Sequence, residues 1–218
     1  MNQKRLDDDY KYHRITPSEL KSFKKYLPKI RQAYLQIKSQ FIGKTKEYIY
    51  VVNNREIRSL VVTFKNSHFM HLCGVKYYHG AKGFIKDLRS NHLKLENLYV
   101  KEDGTTFQKL QVIDKVGLLD SLETKISIGN KLVKIHYDNL VRTKADIVGI
   151  AIDTDANGDH FPLSLLNLSV SDTHTLTTFD VVAIIEENKI THLKSCLCKQ
   201  KNCSQKINDY IDKRLHTN

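Results

Sequence analysis

Residues 46–64 of the 218-residue chain have the sequence KEYIYVVNNREIRSLVVTF. Two runs rich in β-branched and aromatic residues flank the pair Asn53-Asn54, and asparagine tolerates the backbone angles of a tight hairpin turn. We therefore predict two antiparallel strands joined at this pair. A hairpin here predicts that the fold contains a β-sheet. The segments before and after the hairpin must then pack on this sheet or add strands to it.

A helix is predicted immediately before the hairpin. In ITPSEL, residues 15–20, Thr16 can cap a helix whose first position is a proline, and Glu19 completes a capping box. Apolar residues then recur at helical spacing, and Pro28 predicts a division into two helices. The other face is rich in lysine, so residues 1–44 are expected to form a basic amphipathic arm.

After the hairpin the hydrophobic period changes from helical to strand-like. Segments 80–93 and 105–122 carry apolar residues at helical spacing, whereas TKISIGNKLVKIHYD, residues 124–138, predicts a strand, a Gly129-Asn130 turn and a second strand. Further strands are predicted in segments 146–153, 161–170 and 179–187. This order predicts an α+β fold with N-terminal helices packed against a mainly antiparallel β-sheet. The core is expected at residues 45–187, and residues 188–218 form a tail rich in cysteine and lysine.

The charge of the chain is strongly positive and unevenly placed. The formal net charge is +11, and lysine and arginine crowd the first 48 residues but are absent between Lys144 and Lys189. Such a balance favours nucleic acid, although acidic proteins would also be attracted, and a merely solvated surface explains any one patch equally well. The cations predicted to contact nucleic acid are Lys21, Lys24, Lys25, Lys29, Arg31 and Arg142.

The sequence also sets expectations about the compartment. No run approaches the roughly 18 apolar residues of a membrane span, and the first residues lack an apolar signal segment. Three of the four cysteines lie in one short stretch rather than in a disulfide framework. We expect a cytoplasmic protein with reduced thiols and no membrane partner.

Two segments suggest metal sites. HLKSCLCKQKNC offers His192, Cys196, Cys198 and Cys203, a ligand set that a structural zinc ion would accept, and the alternative is three unrelated thiols. DTDANGD, residues 153–159, is similar to the first half of a calcium loop. Its twelfth position is Ser164 instead of a bidentate glutamate, so an ordinary turn between strands is favoured.

The segment HFMHLCGV, residues 68–75, holds the best candidate for chemistry. If a strand ends near Phe69 or Met70, Gly74 lets the backbone turn and His71 lies at a strand-to-loop junction. Metal-free RNA cleavage needs a base, an acid and cations or hydroxyls around the phosphate, and imidazole titrates near neutral pH. The alternative is a histidine satisfied within the core.

This segment, followed by GAKGFIKDLRSNHL, resembles the phage-associated branch of the barnase–EndoU–colicin–RelE-like nucleases. That branch carries an aromatic-x-His-Leu-Thr/x-Gly-aliphatic motif, and the strands in residues 146–187 are similar to its closing strands. The resemblance spans about residues 45–187 and implies a barnase- or RelE-like sheet with a metal-independent RNA-cleaving site. Carried over by position, it implies acid/base work for His71. It implies phosphate binding for Lys82 or Lys86, and substrate orientation for Ser164 and Thr175.

Cys73 stands where the resembling motif has threonine. This departure indicates either a harmless exchange of small residues or a loss of activity, and it keeps two functions open. The first is a ribonuclease of a phage or mobile element, a toxin or antiphage effector without a catalytic cofactor, whose partners are RNA and an antitoxin or immunity protein. The second is a non-catalytic phage-encoded protein that binds a nucleic-acid complex or an acidic partner. A zinc protein with a dimer-forming tail is a third, weaker alternative.

Overall fold

The computed structural model describes residues 11–53, 55–129, 131–132, 135–170 and 176–216. Within these ranges the helices are α1 (Pro17–Gln40), α2 (His68–Leu72), α3 (Gly80–Arg89), α4 (Thr105–Val112) and α5 (Gln205–His216). Short 3₁₀ segments lie at Leu95–Asn97, Ile113–Asp120 and Leu168–Val170. The strands are β1 (Tyr12–Arg14), β2 (Lys44–Val52), β3 (Glu56–Thr63), β4 (Val75–Tyr77), β5 (Leu98–Lys101), β6 (Thr124–Ile128), β7 (Lys131–Leu132), β8 (Ile135–His136), β9 (Asn139–Thr143), β10 (Val148–Thr154), β11 (His160–Asn167), β12 (Thr177–Asn188) and β13 (Lys194–Lys199).

Seven strands close into a barrel. Their order is β12-β2-β3-β11-β10-β9-β6, and β6 pairs back onto β12. Neighbouring strands are antiparallel except β3 and β11, which share a single parallel pair between Val62 and His160. The predicted fold, N-terminal helices on a mainly antiparallel barnase- or RelE-like sheet, is therefore wrong.

The length of β12 explains how the barrel closes. This strand has 12 residues, about twice the usual length. Residues 177–180 pair with β6 and residues 181–188 pair with β2, so one strand serves two neighbours in succession. β13, from the cysteine- and lysine-rich segment, adds to residues 183–187 of the same strand. Hydrophobic alternation identifies strands but does not reveal such shared pairing.

The sheet is covered on both faces. In β2, Tyr48 and Tyr50 belong to the main core together with α1, whereas Ile49 packs with α5 in a second cluster. A strand covered on both faces has a continuous apolar run rather than a strict alternation, as in residues 48–52. A smaller third cluster surrounds Leu140 on β9.

Helix α1 begins as the sequence predicts. The Glu19 amide donates to Thr16 Oγ1 and the Thr16 amide donates to Glu19 Oε2 at 2.9 Å, which confirms the capping box. The predicted division at Pro28 is wrong, because the helix continues to Gln40. Its buried face, which includes Phe23 and Ile37, holds both halves in one line against the core, and this packing outweighs the backbone bond that proline removes. No helix in the described ranges is long and apolar enough to cross a membrane.

The turns show where local sequence signals succeed and fail. The β2–β3 hairpin is confirmed, and Asn53 has φ +49°, while Asn54 lies outside the described residues. The segment DTDANGD forms the predicted turn between β10 and β11, in which Asp155 Oδ1 accepts two backbone N–H groups. The strand predicted before Gly129 is present as β6, which pairs with β9 and β12, while Asn130 lies outside the described residues.

A buried ion network ties three elements together. Lys46 on β2 is fully buried, and its Nζ lies 2.6 Å from Asp120 Oδ1 and 2.7 Å from Glu186 Oε2. Lys44 adds a second cation 2.9 Å from Glu186 Oε1. Burial raises the pKa of Asp120, although the ammonium of Lys46 opposes this shift. Paired charges of this kind join β2, the 3₁₀ segment Ile113–Asp120 and β12 inside the protein.

Candidate active site

Helix α2 presents His71 to solvent. The expectation of a strand ending near Phe69 or Met70 is wrong, because HFMHL forms a short helix after β3. Phe69 and Leu72 are buried and fix this helix against the core, whereas His71 is exposed. Gly74, with φ +70°, then turns the chain into β4.

Two lysines lie close enough to His71 to act on its charge. Partial desolvation lowers the pKa of His71, and the charges of Lys109 on α4 and Lys76 on β4 lower it further. The ring is therefore neutral at pH 7 and can accept a proton. An exposed neutral imidazole beside cations is the arrangement that acid/base chemistry at a phosphate requires.

Lys109 acts on the charge of His71 and forms a hydrogen bond with Ser164. Its Nζ donates a 2.7 Å hydrogen bond to Ser164 Oγ on β11, and both residues are buried. Burial, assisted by the charge of Lys101, lowers the pKa of Lys109 to about 7. The amine therefore exchanges its proton near neutral pH, which suits an acid or a base.

Gly74 makes this arrangement possible by its lack of a side chain. A Cβ on Gly74 would lie 2.9 Å from Lys109 Cδ and 3.3 Å from Thr106 Cα. The Thr106 hydroxyl also donates to the Gly74 carbonyl at 2.6 Å. The glycine that follows α2 therefore lets α4 approach closely enough for Lys109 to reach Ser164 on β11.

Comparison with known families identifies the family of the chain. A family model described as phage-Barnase-EndoU-ColicinE5/D-RelE like nuclease4 matches residues 29–213. The chain belongs to this family of phage-associated nuclease-like proteins. No curated protein and no solved structure matches the chain. The match confirms the resemblance deduced from the motifs and extends it into α1 and α5.

Two other residues of the segment HFMHLCGV, His68 and Cys73, are half-buried and fully buried, respectively. His68 is half-buried, and its Nδ1 accepts the Lys65 amide at 3.2 Å. Burial lowers the pKa of His68 to about 4, so the ring stays neutral. Cys73 is fully buried, and burial raises the pKa of its thiol. A neutral, enclosed thiol packs as a small apolar group, so the departure from threonine at this position has no reactive consequence.

The structure places the other predicted catalytic residues in different surroundings. Ser164 meets Lys109, as described above. Lys82 and Lys86 line a groove on α3 together with Arg89, and His71 is not among the lining residues in the described part of the chain. Thr175 lies outside the described residues. Lys109 thus acts on the charge of His71 and hydrogen-bonds to Ser164, whereas Lys82 and Lys86 line a groove to which neither His71 nor Ser164 contributes.

The predicted nucleic-acid-binding residues fall into two groups. Lys21, Lys24 and Lys25 are exposed on α1. The others contact protein groups: the Lys29 ammonium donates to the Gln111 carbonyl, Arg31 donates to the Asn91 side chain, and buried Arg142 lies 2.8 Å from Asp146. Of the six residues predicted to contact nucleic acid, the exposed cations without an ion pair in the described part of the chain lie in the first half of α1.

The predicted zinc ligands are spread over two clusters. Cys196 and Cys203 pack against the second cluster, whereas Cys198 packs against the main core. His192 is exposed and its Nδ1 lies 3.2 Å from Glu187 Oε1. Among the described residues no group of three or more His, Cys, Asp or Glu side chains could hold a metal ion. Structural zinc at these residues stays a prediction that metal analysis of the purified protein would test.

Sequence reasoning missed Lys109 and Lys76. A signal for Lys109 was present, because Thr106, Lys109, Leu110 and Ile113 occupy one helical face and all are buried. A lysine on an apolar stripe is rarely buried without a partner or a function. Lys76 offered no such signal, since it lies on a three-residue strand whose position depends on tertiary packing.

Proposed function

We propose that the protein is a metal-independent ribonuclease of a phage or mobile element. Membership of the nuclease-like family supports the reaction class. The exposed, neutral His71 beside the Lys109–Ser164 pair carries the proposal, because these groups supply a base, a proton donor and positive charge without a metal ion.

In the proposed reaction His71 takes the proton of the ribose 2′-hydroxyl while the 2′-oxygen attacks phosphorus. The bond between phosphorus and the 5′-oxygen breaks, which leaves a 2′,3′-cyclic phosphate and a 5′-hydroxyl end. Substrate binding has to expose the buried Ser164 hydroxyl, which then donates its proton to the departing 5′-oxygen. The ammonium of Lys109 replaces that proton through their 2.7 Å hydrogen bond. His71 gains one proton and Lys109 loses one, and exchange with solvent restores both.

The first test is cleavage of RNA by the purified protein in EDTA, with identification of 2′,3′-cyclic phosphate ends. His71→Ala is expected to abolish cleavage while the folded state persists. His68→Gln is the matched control, because His68 belongs to the same helix but faces the protein. Cleavage that survives His71→Ala, or products with linear 3′-phosphates from the first turnover, would refute the assignment.

The pH dependence of kcat/KM gives a second test of the same groups. Since the pKa of His71 is below 6.5, activity should fall only below that pH, as the base becomes protonated. The pKa of Lys109 is about 7, so activity should also fall above neutral pH, as the proton donor is lost. A rate that rises steadily from pH 6 to pH 9 would contradict the role of Lys109.

The proposal extends to a role as a toxin or antiphage effector that a partner protein neutralises. Expression of the intact chain should then arrest growth, and His71→Ala should relieve the arrest at equal protein level. Growth that is equally impaired by both chains would separate toxicity from cleavage.

A non-catalytic binding protein is the second candidate function. The exposed lysines of α1, Lys21, Lys24 and Lys25, favour it, because in the described part of the chain none of them forms an ion pair. Steeply salt-dependent binding to RNA or DNA without any cleavage would support this function. Binding that is equal at low and high salt would exclude it.

A further inference from the structure

Helix α3 forms one wall of a basic groove that the candidate active site does not use. The groove has a volume of about 450 Å³ and is lined by Asn66, Lys82, Ile85, Lys86, Arg89 and Ser90. Its three cations are four and three residues apart, so they share one face of α3 and extend about 10 Å along the helix axis. All three are exposed.

The charge of this groove is not neutralised from within the protein. In the part of the chain that the structure describes, Lys82, Lys86 and Arg89 form no ion pair. The acidic residue of the same helix, Asp87, instead accepts a 2.7 Å hydrogen bond from the Tyr77 hydroxyl. Like charges four residues apart destabilise a helix. An anion bound in the groove would remove this repulsion.

The groove lies beside two features that continue it. Arg31 on α1 donates to the side chain of Asn91, one residue after the groove residue Ser90, and brings a fourth cation to this side. Asn66 begins the turn that leads into α2, and it precedes His71 by five residues in the chain. The groove therefore lies between the Arg31 contact of α1 and the turn that precedes the helix of His71.

We propose that this groove binds the phosphate backbone of a single-stranded RNA segment next to the cleaved bond. Three cations spread over about 10 Å of the helix can each contact a phosphate of one strand, and every phosphate carries one negative charge. The volume of about 450 Å³ is that of a pocket for a small molecule, so the groove takes up part of one strand. The side-chain amide of Asn66 supplies a neutral hydrogen-bond donor beside the cations. That the bound polyanion is RNA rests on the proposed function.

The test is binding of a fluorescent 12-nucleotide RNA whose riboses are all 2′-O-methylated, so that cleavage by 2′-hydroxyl attack is blocked. The triple variant Lys82→Ala/Lys86→Ala/Arg89→Ala is compared with the intact chain by anisotropy between 50 and 200 mM KCl. The matched control is Lys38→Ala/Lys189→Ala/Lys201→Ala, which removes three exposed cations outside the groove. Thermal melts establish that each protein is folded.

Each single-strand phosphate contact contributes about 0.7 to the slope of log Kd against log salt. Loss of three contacts should lower the slope by about 2 in the groove triple. Between 50 and 200 mM KCl the affinity of the intact chain should therefore fall about 20-fold more than that of the groove triple. The control triple should keep the slope of the intact chain to within 0.7. Equal losses in both triples, or no loss in the groove triple, would overturn the proposal.

The binding assay does not require cleavage, so the groove proposal and the ribonuclease proposal can fail separately. If unmodified RNA is not cleaved but the groove triple loses its salt-dependent binding, the proposed ribonuclease function fails and the groove stands. If RNA is cleaved and the groove triple binds and cleaves like the intact chain, the groove proposal fails and the ribonuclease function stands. For a cleaving enzyme, the groove triple should raise KM for the 12-nucleotide strand.

Discussion

Replacing Lys109 by methionine should change how the stability of the protein depends on pH. The pKa of Lys109 falls from 10.5 in the unfolded chain to about 7 in the folded protein, because burial disfavours the ammonium. Between these two pH values the unfolded chain binds more protons, so the free energy of unfolding rises with pH. At about 1.4 kcal/mol for each pH unit, the full rise is about 5 kcal/mol. The Lys109→Met substitution removes this rise of the free energy of unfolding with pH.

The assay is urea unfolding of the intact chain and of Lys109→Met at pH 7, 8 and 9. Over these two units the free energy of unfolding of the intact chain should gain about 2 to 3 kcal/mol relative to the variant. The exposed Lys38→Met provides the control and should follow the intact chain. A constant difference between the intact chain and Lys109→Met at all three pH values would show that Lys109 titrates far above pH 7 and would remove it as a proton donor.

Three further substitutions test the fold around the site. Thr16→Ala should cost about 1 kcal/mol of unfolding free energy through loss of the capping box, and an equal loss in the neighbouring Ser18→Ala would contradict this. Gly74→Ala should cost more than Gly43→Ala in thermal melts. Both glycines have positive φ, but only the new Cβ at Gly74 would meet Lys109. Lys46→Met should cost about 3 to 5 kcal/mol in urea unfolding, because it leaves Asp120 without its cation, and a neutral outcome would show that this network is dispensable.

Local signals predicted the elements that neighbouring residues determine. The capping box at Thr16 and the asparagine turn at Asn53 each depend on interactions within a few residues, and both are present. Closure of the barrel depends on β12 pairing with β6 and then with β2, over separations of about 50 and 140 residues. Alternation in the sequence shows which side chains share a face but does not show which strands are neighbours.

The candidate site was predictable in part for a similar reason. His71 and Ser164 were identified from short motifs in the sequence. Their connection through Lys109 requires α4 to approach the end of α2 across Gly74, a contact that no local pattern encodes. Lys82 and Lys86 were assigned to the phosphate at His71 by position, from the resemblance to the nuclease family. The helix they belong to directs them into a separate groove with Arg89.

Of the neighbouring strands in the barrel, β3 and β11 share the fewest backbone pairs. One pair, Val62 with His160, joins them, whereas β2 and β3 share eight pairs. Helix α2, which carries His71, follows β3 in the chain and packs on β11, the strand of Ser164. Side-chain packing, rather than a ladder of hydrogen bonds, therefore closes the barrel between these two strands. Slow deuterium uptake at the amides of Val62 and His160 is the expected result, and fast uptake would show that this packing does not hold the two strands together.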